Sequence, residues 1–221
     1  MTPSAPWGGL AVIYALIYRT FILRLVIFFG SVVIFTSLFR GEVLENTLHY
    51  YFLSPVRREV LAVGKFFSGV LIAFVLYGSS TILSFLVLYL PQGQEATEFF
   101  STGSGLWHLS AYLGVAFLAC LGYGAVFLLM GLTFRNPIIP AAVVLGWETI
   151  NFLLPPSLKQ ISVIYYLESL CPVAIPTGPF TILADSAPLW LAIPGLLGVT
   201  ALVLFLAGLQ LRRLEINYSS D

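Results

Sequence analysis

The sequence predicts an all-α membrane protein: a polytopic bundle of five transmembrane helices, a cytoplasmic amphipathic helix, and a short outer helix or re-entrant segment. Three observations lead there. Hydrophobic residues make up 59% of the 221 positions, charged residues only 9%, and the mean hydropathy is +0.97. A water-soluble domain carries roughly 25% charged residues, so this chain lacks the groups to coat a surface facing water. Its apolar residues also run unbroken over lengths that cross a bilayer, and its basic residues fall in alternate connections.

Four spans read directly from the apolar runs. Residues 66–90 and 106–133 contain no Asp, Glu, Lys or Arg; 137–154 is shorter and contains Glu148; 188–211 ends at Arg212 and Arg213. At 1.5 Å per residue each crosses roughly 30 Å of hydrocarbon, the shortest barely. The first apolar region is too long for one straight span and too short for two, and it carries Arg19 and Arg24. It is read as an N-terminal interfacial segment, 1–19, and a fifth span, 20–39, with the arginines snorkelling toward headgroups. A split at the arginines is the alternative. Met1 to Gly9 holds no Lys or Arg and no cleavage pattern follows, so the opening stretch is expected to be retained.

Charge then fixes an expected orientation. Arg40, Arg57, Arg58, Lys65, Arg135, Arg212 and Arg213 lie on one side of these spans, and Lys159 alone lies on the other. By the positive-inside rule, the N-terminus is outside and the C-terminus is in the cytoplasm of a cell (inner) membrane protein. Tyr89, Trp107 and Trp190 fall at the expected outer interface, where amphipathic rings prefer to sit.

Cys120 and Cys171 suggest neither a disulfide framework nor a metal site. Ala116, Cys120 and Gly124 form a small-residue stripe at i, i+4, i+8 that lets another helix come close, within the chain or from a second copy. Pro194 removes a backbone bond from the last span. Residues 155–187 are too apolar for a free loop; 157–170 fits a short helix, and Pro172, Pro176 and Pro179 stop it.

The inner connection after the fifth span is the most distinctive stretch. On a helix over 41–55, Leu44, Leu48, Tyr51 and Phe52 share one face, while Glu42, Glu45, Asn46 and His49 share the other. Pro55 ends that helix. Taken alone, such a helix is either a docking element or an interfacial anchor.

Glu42, Glu45, Thr47 and Leu48, then Leu53-Ser54-Pro55-Val56-Arg57-Arg58-Glu59, then Gly64-Lys65, closely resemble the cytoplasmic segment of ABC-2 type transporter permeases. That family shows an acidic residue, Gly-Thr-Leu-Glu, an apolar stretch, Pro-Val-x-Arg, and Gly-Lys at the foot of the next helix. Asn46 and His49 depart from the pattern, standing where the family has Gly and Glu. Members usually carry six spans, and the reading expects this chain to lack the first. The resemblance implies that 41–55 is the coupling helix, with Glu42, Glu45, Thr47, Leu48, His49, Tyr51, Phe52, Arg57 and Arg58 meeting a separate ATPase subunit. It further implies export driven by ATP bound in that partner, and a homodimer or a pair with a related permease. The chain has no Gly-x-x-x-x-Gly-Lys-Ser/Thr loop of its own, so no cofactor is expected in it.

Glu148, with Asn151 one turn further on, marks a candidate substrate path or a hydrogen-bonded packing group. Two other classes stay open: a membrane scaffold or shortened partner subunit that does not transport, and an intramembrane enzyme using Glu148 with His49 or His108. The enzyme reading is the weaker, because the two histidines fall on opposite sides and no His-Glu-x-x-His pattern exists. No nucleic-acid partner is expected. The substrate is not legible.

Overall fold

The computed structural model describes residues 8–44, 58–101, 103–134, 136–150, 156–173 and 188–213, and among these every regular element is helical. Helix α1 (Gly8–Ile17) passes without interruption into a π-helical segment (Tyr18–Ile27) and then into α2 (Phe28–Leu44). After the inner connection come α3 (Arg58–Tyr89), α4 (Gln94–Ser101) and α5 (Gly105–Thr133). The remainder is α6 (Ile138–Thr149), α7 (Pro156–Lys159), α8 (Val163–Leu170) and α9 (Leu189–Arg213).

Four helical stretches are long and apolar enough to cross a membrane: Gly9–Leu38, Val60–Gln92, Gly105–Thr133 and Trp190–Leu211. Their outward residues, such as Val33, Leu71, Val75, Val87 and Leu202, are apolar and exposed, as a lipid-facing surface requires. The expected span 137–154 is described in part. Helix α6 has 12 residues, about 18 Å at 1.5 Å each, and 151–154 lie outside the described residues.

The N-terminal region also differs from its reading as an interfacial segment followed by a span. Helix runs unbroken through Arg19 and Thr20, and Tyr14, Ala15 and Tyr18 are fully buried within the bundle. Aromatic packing holds this half of the helix. Tyr14 meets Phe85 and Tyr112 edge-on at 5.0 and 4.9 Å, and the Tyr18 hydroxyl donates to the Tyr112 carbonyl at 2.8 Å. A surface helix has no such partners, and rings that size bury far more area inside the bundle.

Helix α5 is the centre of the molecule, buried along most of its length and flanked by α2, α3 and α9. Its small residues explain the close approach. A methyl group added at Gly124 would sit 2.5 to 2.9 Å from the Phe35 ring, and one at Gly131 would sit 2.9 Å from the Thr36 Cα. The Ala116, Cys120, Gly124 stripe is buried by this chain's own helices. At one end of α2 and α3, Lys65 donates from Nζ to the Leu38 carbonyl at 3.0 Å, joining the two feet.

Two residues at the other end, Tyr89 and His108, lie deeper than an interface position. Trp107 and Trp190 are exposed, as interface residues should be. Tyr89 is instead buried, stacked on Phe99 of α4 at 4.9 Å, and His108 is buried beside the same ring at 5.9 Å. The amphipathic α4 supplies Phe99 and Phe100 as a cover over them. Helix α9 continues through Pro194 as one element.

Candidate functional site

The connection between α6 and α9 holds the densest polar arrangement among the described residues, and it is centred on α8. On α6 the buried positions are Ala141 and Glu148, two turns apart on the face turned to the bundle. The Glu148 carboxylate accepts three hydrogen bonds. Oε1 takes the Val163 backbone N–H at 3.1 Å; Oε2 takes the Ile164 N–H at 3.0 Å and the Tyr123 hydroxyl at 3.2 Å.

Glu148 therefore caps α8. Ser162 occupies the N-cap position with extended backbone, φ −83° and ψ 132°, yet its side chain makes no cap bond. The first N–H groups of a helix have no partner within it and carry its positive end, so an anionic oxygen there is stabilising. A carboxylate from a different helix does this work here. Glu148, read from the sequence as a substrate-path residue or a hydrogen-bonded packing group, is 7% exposed. Its expected neighbour Asn151 lies outside the described residues.

The far end of α8 is fastened by charge. Glu168 receives Arg19 Nη2 at 2.9 Å and Arg24 Nη2 at 2.8 Å, one on each carboxylate oxygen. Both arginines come from the π-helical segment, and the winding is what brings them together. In an α-helix, residues five apart point about 140° away from each other at 3.6 residues per turn. A π-helix bonds i to i+5, so residues five apart stack on one side. Arg19 and Arg24 are thereby aimed at one carboxylate rather than snorkelling separately.

Between these two fastenings, α8 buries Val163, Ile164, Tyr166 and Leu167. Two glycines receive it: a methyl at Gly122 of α5 would lie 2.8 Å from Val163, and one at Gly195 of α9 would lie 2.6 Å from the Tyr166 ring. The Tyr166 hydroxyl closes the preceding turn by donating to the Gln160 carbonyl at 2.8 Å. A helix of eight residues with irregular chain around it is tolerated at membrane depth when protein covers it. Here α5 and α9 do so.

The sequence-derived site residues divide sharply. Glu148 is brought into this arrangement. Glu42 lies in the last turn of α2 and Arg58 opens α3, while Glu45, Thr47, Leu48, His49, Tyr51, Phe52 and Arg57 lie outside the described residues. Glu168 was not singled out. It was findable, because two arginines in an apolar helix call for an acid and Glu168 is the one carboxylate in residues 155–184. Among the described residues no group of three His, Cys, Asp or Glu could hold a metal ion.

These features define a helical bundle with four candidate membrane spans and a short helix fastened inside it, consistent with a membrane location. Comparison of the chain with family models, curated proteins and solved structures found no match.

Proposed function

We propose that the chain is the membrane-spanning subunit of an ABC-2 type transporter, exporting a substrate with ATP hydrolysed by a separate subunit. One observation carries this reading: the resemblance of Glu42–Lys65 to the cytoplasmic coupling segment of that family, on a connection between two candidate spans. Its position supports the proposal. The Lys65 to Leu38 bond holds the feet of α2 and α3 together, so force applied to the connection reaches both helices and, through them, α5. In this reading the fastened α8 is the outer gate.

Within this reading Glu148 serves α8 first. Its carboxylate is occupied by three donors, which makes it a positioning group for the gate rather than a free ligand.

The test is association and coupling. In helix-in-groove docking a few buried anchors carry most of the binding energy, and truncating one costs roughly 2 kcal/mol or more. Leu48→Ala with Tyr51→Ala should release a co-purifying ATPase subunit or abolish its stimulation in nanodiscs, with membrane insertion retained. Unchanged association and unchanged hydrolysis would leave this stretch as an interfacial anchor.

A further inference from the structure

We propose that Arg19 and Arg24 form a binding site for the phosphate of an anionic lipid headgroup, in the leaflet nearer Gly8. Three observations on this chain point there.

The first is charge. Two guanidiniums meet one carboxylate, so Glu168 alone does not balance Arg19 and Arg24. A charge at membrane depth is costly and is retained where a counter-charge reaches it. The second is donor capacity. A guanidinium presents five N–H donors in a planar fork, and each arginine places one nitrogen on a Glu168 oxygen. The remaining donors have the geometry that suits phosphate oxygens. The third is access. The Arg24 side chain is 41% exposed, Glu168 28% and Arg19 20%, so the cluster opens outward from the bundle while staying anchored to it.

Depth selects a lipid over a group of the aqueous phase. The polar foot of the first span is marked by Leu38, whose carbonyl takes Lys65. Arg24 lies fourteen residues from it, about 21 Å at 1.5 Å per residue. The apolar helix runs on to Gly9, fifteen residues beyond Arg24, so both arginines lie within the span, Arg24 near its middle and Arg19 nearer the Gly8 end. Arginine side chains reach toward headgroups, and the bilayer thins locally to meet them. A phosphodiester drawn in beside Arg24 neutralises the cluster. Flanking exposed apolar residues Phe21, Leu25 and Phe29 give its acyl chains a wall on the same helix.

The experiment uses the purified full chain in neutral detergent with added lipid. Phosphatidylglycerol in about 100-fold excess over its Kd should raise Tm by about 5 °C or more for a chain of this size. Phosphatidylcholine and inorganic phosphate should give little shift, and Arg24→Gln should abolish the phosphatidylglycerol effect. Because Arg24→Gln could fail to fold, the wild-type chain is also cross-linked with phosphatidylglycerol carrying a headgroup diazirine. Adducts should map to 18–27 or 163–171. Equal shifts with phosphatidylcholine, a full shift with inorganic phosphate alone, retention of the effect in Arg24→Gln, or adducts confined to other segments would each overturn the proposal.

Discussion

The Glu148 carboxylate sits 3.0 Å from the backbone nitrogen of Ile164, sixteen residues further along the chain. That contact joins the end of one short helix to the start of another. The Ser162 side chain makes no cap bond, so Glu148 supplies the acceptors for the first turn of α8.

Removing the cap should cost stability. Glu148→Leu leaves two backbone N–H groups and the Tyr123 hydroxyl without their acceptor. Each buried donor left unmet costs about 1–3 kcal/mol, so a loss of roughly 3 kcal/mol is expected. Glu148→Gln keeps one carbonyl acceptor and should lose less. Thermal melting in detergent distinguishes them. Tyr123→Phe should cost about 1 kcal/mol alone and almost nothing on top of Glu148→Leu.

The charge cluster makes a second case. Glu168→Gln strips both arginines of their counter-ion. Breaking a fully buried pair costs about 3–5 kcal/mol and an exposed one under about 1, so these partly exposed groups should fall between, near 2 kcal/mol. A double-mutant cycle with Arg24→Gln should show a coupling of about 1 kcal/mol. Additive losses would mean that the 2.8 Å contact contributes nothing.

Two glycines of α5 should behave differently from each other. Gly124→Ala pushes a methyl into the Phe35 ring, a side chain that can be shortened. Its cost, about 1–3 kcal/mol, should be largely recovered by Phe35→Leu. Gly131→Ala meets the Thr36 backbone instead, so no side-chain change on α2 should rescue it. Expression level and melting temperature report both.

Topology is testable with reporters. By the positive-inside rule, seven basic residues in alternate connections against one in the others lead us to expect Gly103 outside and both Asn136 and Asp221 inside. Reporter fusions should give opposite signals at Gly103 and Asn136. The same signal at both would undo the span order, including the crossing by Gly105–Thr133.

The sequence by itself determined the all-helical class and the positions of the long spans. Runs such as 66–90 and 106–133 contain no charge, and in hydrocarbon a backbone must satisfy its own hydrogen bonds, so helix is the outcome wherever such a run occurs. The periodic small residues of α5 were legible for the same reason: Gly124 can do little but admit a neighbour. The tertiary structure decided what needed a partner. Local apolarity could not reveal that Tyr14 and Tyr18 bury against Tyr112, that Glu148 on α6 is turned onto α8, or that Arg19 and Arg24 share Glu168. The last depends on a π winding of Tyr18–Ile27 that apolarity alone does not encode. Two arginines five residues apart diverge on an α-helix, and here a carboxylate more than a hundred residues away meets both only because the winding turns them to one side.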